Sequence, residues 1–295
     1  MSDLNTTKLR QALKQHADIS EKKLGRHHPH AASWFDKRGI KPSDIRTHAA
    51  KLASAGALAG ALFLGNPLLT NVSSFGTQKI AAMPIDQLRN LFSANITSLL
   101  PDSVRPLTNE EEATLSRLID VFWGIRAVGS LEGEHLNTTY GFMGAEQHLP
   151  RFPGDSVDQH DGYQNAGITP GKGAWGYFAN SKQDLTEDLV QKETYYVAVQ
   201  TLYLPDWQER LSYLREWYKY RKVLIVNTKT GNAVVAAIAD AGPAAWTGKH
   251  IGGSPEVMHE LGLAGGPRKG PVLYYFVDDP ENKVPLGPIN LTEEV

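Results

Sequence analysis

The chain has 295 residues, 41% of them hydrophobic and 21% charged, with a formal net charge of −2 and no cysteine. Those proportions describe a globular protein with a sizeable core, not a disordered one. The missing cysteines exclude disulfides, thiolate nucleophiles, cysteine-based zinc sites and a lipid-modified cysteine. Charge is unevenly spread: residues 1–51 carry eleven Lys and Arg against five Asp and Glu, and the remainder nineteen against twenty-seven. A basic head precedes an acidic body, and that body shows no basic face for nucleic acid.

In chain order, residues 1–48 read as a basic cytoplasmic segment, helical or flexible. It is broken by Arg26-His27-His28-Pro29-His30, which could bind a metal but is preferred as a solvated loop. Next comes LASAGALAGALFL, thirteen uncharged residues from Leu52 to Leu64. That is short of the roughly 20 residues that cross a bilayer. Counting 49–70, with Lys51 reaching the interface, makes a marginal span. Two uses stay open: a transmembrane anchor, or an Ala-rich helix buried in a soluble domain. The anchor makes this a single-pass protein of the cell membrane, with Lys37, Arg38, Lys41, Arg46 and Lys51 on the inner side and the C-terminal domain outside the cell. Gly56 and Gly60 then form a GxxxG pair through which two copies could dimerise.

Residues 71–129 read as a helical hairpin. Ile85, Leu88, Leu91, Phe92, Ile96 and Leu99 share one face of a helix over 84–100. Thr108-Asn109-Glu110-Glu111 is a capping box, and the apolar spacing after it continues to Gly129. From residue 130 the texture turns to glycine, aromatics and histidine. Strands are expected over 136–142, 173–178, 195–204, 223–226, 233–239 and 271–277, with a helix over 206–221 inserted among them. Short strands with such punctuation suit a small closed barrel over 130–295.

Two stretches carry the chemistry. Glu146 to Asp161 gathers two histidines, four acids and an arginine without helical or strand periodicity. Ordering such a loop is costly unless it has a use. Three uses are open: a divalent metal held by His148, Asp155 and His160, a carboxylate clamp by Arg151, or a cover over one barrel end. The cover is preferred, and no metal or other cofactor is assigned. The second stretch runs from Arg221 to Leu263. Two apolar runs flank the turn Thr230-Gly231-Asn232, and Asp240 stands at the end of the second, before Ala241-Gly242-Pro243. Asp240 is open to two readings, an Asx-turn acid or a reactive acid carried by a rigid strand.

Five pieces of that second stretch, in order, are Val226-Asn227, Thr230-Gly231-Asn232, Ile238 to Pro243, Gly248-Lys249-His250-Ile251 and Leu261-Gly262. Together they resemble the double-psi β-barrel family of rare lipoprotein A, lytic transglycosylase A, expansins and barwin. The resemblance implies an α+β protein: a C-terminal six-stranded double-psi β-barrel with a helical N-terminal region and a helical insertion. It places the family's catalytic Asp on Asp240. Two positions depart: the arginine of the family's DRGP is Ala241, and the aspartate of its IDLS is Gly252, with Ser254 kept. Gly173 to Phe178 is similar to the family's opening strand. An acid and a histidine should follow that strand. The candidate acids are Glu187, Asp188 and Glu193, while the expected histidine position reads Gln200.

The implied activity is cleavage of peptidoglycan glycan strands by a lytic transglycosylase, with Asp240 as general acid and base and Glu193 or Glu187 as a second carboxylate. Substrate contacts are expected at Trp175, Tyr177, Gly242, Lys249, Ser254, His148 and Arg151, with Trp246 and Tyr275 as further rings for sugar faces. The partner is peptidoglycan or another polysaccharide. Two alternatives remain: a non-catalytic, expansin-like polysaccharide-binding module, favoured by Ala241, Gly252 and the missing histidine, or a cell-surface scaffold.

Overall fold

The computed structural model describes residues 85–289. It begins with two helices, α1 (Ile85–Leu99) and α2 (Asn109–Trp123). Leu88, Phe92 and Ile96 of α1 are fully buried, as are Leu115 and Ile119 of α2. The Phe92 ring meets Phe122 and Trp123 edge-on, with centroids 5.1 and 4.5 Å apart, a favoured geometry for aromatic pairs. Thr108 and Glu111 close the capping box in both directions. Arg105 forks onto Glu111 at 2.7 and 2.9 Å. That hydrogen bonding, with the Thr108 backbone, takes the Glu111 carboxyl down to about 2. Thr108→Ala removes one arm of the box and should cost about 1 kcal/mol in chemical denaturation. The helix stops earlier than its apolar spacing suggested. Gly124 adopts φ 65° and caps α2, and Ala127–Val128 becomes a strand, β1, paired with Val277 and Phe276.

A small hairpin follows, β2 (Ser130–Leu131) with β3 (Glu134–His135). The barrel is built from β4 (Tyr140–Ala145), β5 (Tyr196–Val199), β6 (Lys222–Asn227), β7 (Ala233–Ala241), β8 (Ile251–Gly253) and β9 (Lys269–Val277). Their pairings close a ring in the order β6-β9-β4-β8-β5-β7 and back to β6. The β4–β8 and β5–β7 contacts are parallel and the other four antiparallel. This closed mixed barrel with helical insertions is the fold class expected from the sequence. A last strand, β10 (Gly287–Ile289), adds to β7.

Alternation fills the interior. Val223 and Ile225, Val234, Ala236 and Ile238, and Val272, Tyr274 and Phe276 belong to one buried cluster, as inward positions of small barrels do. Residues between them are buried as well: Tyr275 is fully enclosed, and its hydroxyl reaches the Glu112 carbonyl in α2 at 3.4 Å. The β6–β7 hairpin turns at Gly231, where φ is 71°, a conformation glycine adopts without strain. Asn227 seats the turn by donating to the Leu261 carbonyl at 2.8 Å and accepting from the Lys229 amide.

Three shorter helices complete the fold: α3 (Glu187–Thr194), α4 (Leu211–Tyr218) and α5 (Pro255–Glu260). The α4 helix is the insertion expected between strands. Residues 173–178, expected as the opening strand, are not a barrel strand. They form a tight loop with a bridge between Gly173 and Gly176, and β4 takes the opening place in the ring.

The expectation of a single-pass membrane protein is overturned: no helix among the described residues is long and apolar enough to cross a membrane. The segment 49–70 and the Gly56–Gly60 pair lie outside the described residues, so neither an anchor nor a dimer through them finds support.

Candidate functional site in the barrel wall

Asp240 lies one residue from the end of β7, and the strand register shows what surrounds it. Ala198 of β5 pairs with Asp240 on one side and with Gly252 of β8 on the other. Gly252 in turn pairs with Gly144 of β4. Ala198 and Gly252 face away from the barrel interior, because Val197, Val199 and Ile251 belong to the core and side chains alternate along a strand. Small residues thus floor a band across the outer wall, from Asp240 to the end of β4.

The end of β4 supplies a second acid. Glu146 donates its amide to the Gly253 carbonyl at 2.8 Å, and its side chain folds over Gly252. A Cβ on Gly252 would stand 2.5 Å from Glu146 Cγ and 2.8 Å from Cδ, so only glycine leaves the carboxylate its place. The space over Gly252 is therefore held by a carboxylate from the neighbouring strand. Sequence reading passed over Glu146 as a reactive group because it looked for the second acid after residues 173–178.

The two acids are tuned alike. Asp240 Oδ1 accepts from the amides of Ala174 at 2.8 Å and Ala241 at 2.9 Å, while no described residue donates to Oδ2. Burial nonetheless raises its carboxyl above the ordinary range, against those two amides. Burial also raises Glu146, opposed by Lys249 and assisted by the nearby Asp240 charge. Lys249 Nζ donates to Glu146 Oε1 at 3.2 Å and to the Ala145 carbonyl at 2.8 Å. Gln200, standing where a histidine was implied, is buried and structural. It donates to the carbonyls of Pro243 and Lys249, both at 3.0 Å, and so ties the loop after Asp240 to the end of β5.

Several expected contact residues lie elsewhere. Trp175 is buried, its indole donating to the Arg215 carbonyl at 2.6 Å. Ser254 is fully buried as the cap of α5, bonded to the Thr194 carbonyl and the Val257 amide. His148 and Arg151 are enclosed too, at 0% and 5% exposure, and so is Glu193 at 1%. Glu187 begins α3 and lines a cavity of about 530 Å³ with Lys192, Tyr220 and Val284, which includes neither Asp240 nor Glu146. Tyr275 is core. Of the other expected contact residues, Gly242 and Lys249 are half-buried, Tyr177 is 37% exposed, and Trp246, at 89%, stands out from the loop after Pro243.

His148, His160 and Glu193 come together in a separate buried cluster. Tyr196 lies within electrostatic reach of both groups of acids and donates its hydroxyl to the Gln147 carbonyl.

No family model matches the chain, and no curated protein matches it. Among solved structures, the expansin of Clavibacter michiganensis in its apo form is 18% identical, covering 49% of this chain and 52% of that one, with a TM-score of 0.29. A mutant of the same expansin in complex with cellohexaose is 18% identical, covering 50% and 53%, with a TM-score of 0.28. The chain spans about half the length of those structures, and a likeness this slight carries no argument about what the protein does.

Proposed function

We propose that the band between Asp240 and Glu146 holds a polysaccharide strand and that Asp240 cleaves its glycosidic bond. The observation that carries this is the state of Asp240. It is fixed at a rigid strand end by two amides on Oδ1, leaves Oδ2 without a partner among the described residues, and has its carboxyl raised by burial. A carboxyl kept protonated nearer neutral pH is what a general acid needs.

On peptidoglycan, Asp240 donates its proton to the glycosidic oxygen as the bond to the anomeric carbon breaks. The resulting carboxylate then takes the proton of the sugar's own 6-hydroxyl, whose oxygen attacks that carbon. The products are an anhydro sugar and a free hydroxyl on the leaving sugar, and no water is consumed. Glu146 faces the charge that develops on the sugar and stabilises it. A second reading, hydrolysis, is favoured by one specific observation: a second carboxylate, Glu146, lies over Gly252 close enough to feel the Asp240 charge. A pair of carboxyl groups can serve as the acid and the base that activates a water.

Digestion of peptidoglycan with the full-length chain separates these readings. Anhydro ends support the first, reducing ends the second, and binding without new ends makes the protein a non-catalytic binding module.

Trp246 supplies the sugar-stacking face. Because it is 89% exposed, Trp246→Ala should leave the melting temperature unchanged. It should weaken polysaccharide binding about 5-fold, from a stacking contribution of ~1 kcal/mol. Co-sedimentation with insoluble glycan measures it.

A further inference from the structure

The buried cluster beside the barrel wall has the composition and geometry of a metal site. His148, His160 and Glu193 are 0, 3 and 1% exposed, and one ligand atom from each lies within 4.8 Å of the others. The two imidazole rings stand 4.4 Å apart between centroids. Glu193 faces both: Oε1 is 3.4 Å from His148 Nδ1, and Oε2 is 3.3 Å from His160 Nδ1.

Protein hydrogen bonds account for this arrangement only in part. Neither ring nitrogen of His148 makes a well-formed hydrogen bond with a described residue, although both are sealed from solvent; Nδ1 has the Glu193 carboxylate at 3.4 Å. Native interiors seldom leave such atoms unpaired. On His160, Nε2 meets Asp155 Oδ2 at 3.2 Å and Nδ1 faces Glu193 Oε2 at 3.3 Å. In the neutral ring with its proton on Nε2, the Nδ1 lone pair faces a carboxylate, and a cation between them satisfies both.

The surroundings match those of metal ligands, whose histidines are oriented by a carboxylate behind them. Asp155 is itself fixed by the Arg151 amide and guanidinium at 2.8, 2.9 and 3.1 Å, and Arg151 also donates to the Gln159 carbonyl. Glu193 Oε1 accepts from the Leu149 amide at 3.0 Å. On α5, Glu256 Oε2 is a further buried atom without a partner.

We propose that His148, His160 and Glu193 bind one divalent transition-metal ion, zinc by its preference for imidazole and carboxylate. Enclosure makes this a structural ion: it ties the segment after β4 to α3 and leaves no room for a substrate. Asp155 is a positioning residue behind His160.

Elemental analysis of the full-length chain, purified without chelator, should find one zinc per chain. Stripping it should lower the melting temperature by several degrees, and zinc chloride should restore it. Asp155→Asn should weaken zinc binding by about 10–100-fold, and Glu193→Gln, which keeps an oxygen for the Leu149 amide, should remove it. Joint replacement His27→Ala, His28→Ala and His30→Ala should leave the stoichiometry at one. Should Glu193→Gln fail to fold, zinc-edge X-ray absorption of the parent should show two imidazoles and oxygen donors. A chain with no zinc after growth in zinc-replete medium, whose melting ignores both zinc and chelator, overturns the proposal. So does zinc that survives Glu193→Gln with unchanged affinity, or zinc lost with the three N-terminal histidines.

Discussion

Asp240→Asn should lower glycan cleavage by about 10²–10⁴-fold, the usual contribution of a positioned general acid, with no loss of stability at pH 7. Asparagine keeps an oxygen at Oδ1 for the Ala174 and Ala241 amides, so both hydrogen bonds that fix the loop survive. It also removes a strain. Burial raises the Asp240 carboxyl in the folded chain, so between its unfolded and folded pKa values the folded state binds more protons than the unfolded one. Stability contributed by this group is therefore full below the unfolded pKa and falls as pH rises through the folded one. Thermal unfolding of parent and variant should coincide in acid and separate toward neutrality, with the variant melting higher. A variant that melts lower at pH 7 would make Asp240 an ordinary turn acid that holds its loop through its charge.

The second large effect concerns a residue with no side chain. Gly252→Ala should reduce cleavage by about 10²-fold, because a methyl group there stands where the Glu146 carboxylate lies, 2.8 Å from its Cδ. Glu146 is half-buried and can swing outward, so stability should change little, but Lys249 loses its partner and the sugar's developing charge its counterpart. Glu146→Gln should reproduce the loss, and the double variant should be no worse than either single one, since both act through one carboxylate. Additive losses would show that Gly252 serves the backbone of β8 and not Glu146.

The hairpin of β6 and β7 was readable in advance because its information is local: alternating apolar residues, a Thr-Gly-Asn turn, and an acid before Gly-Pro. The amphipathic α1 and the capping box of α2 were readable for the same reason. The end of α2 was mistaken although Gly124 signalled it, since Ile125 and Val128 continue the helical spacing into what is β1. The opening strand was mistaken because Gly173 to Phe178 and Tyr140 to Ala145 are both glycine-aromatic segments. Only the pairing of β4 with β8 and β9, far along the chain, tells them apart. That one displacement hid Glu146 and directed the search for a second acid to Glu187 and Glu193. Glu193 does belong to a buried cluster with His148 and His160, but its partners come from a loop some forty residues earlier, and no local pattern announces such a meeting. Exposure, too, escaped the sequence. Trp175 and Trp246 look alike as aromatics, yet one is held in the core, bonded to the Arg215 carbonyl, and the other stands exposed on the loop after Pro243.

Mass spectrometry of peptidoglycan digested by the full-length chain, beside its Asp240→Asn variant, tests the central claim most directly. Anhydro-sugar ends released by the parent and absent with the variant are the predicted result. Cleavage that persists in the variant, or a parent that binds the glycan and releases nothing, would contradict it.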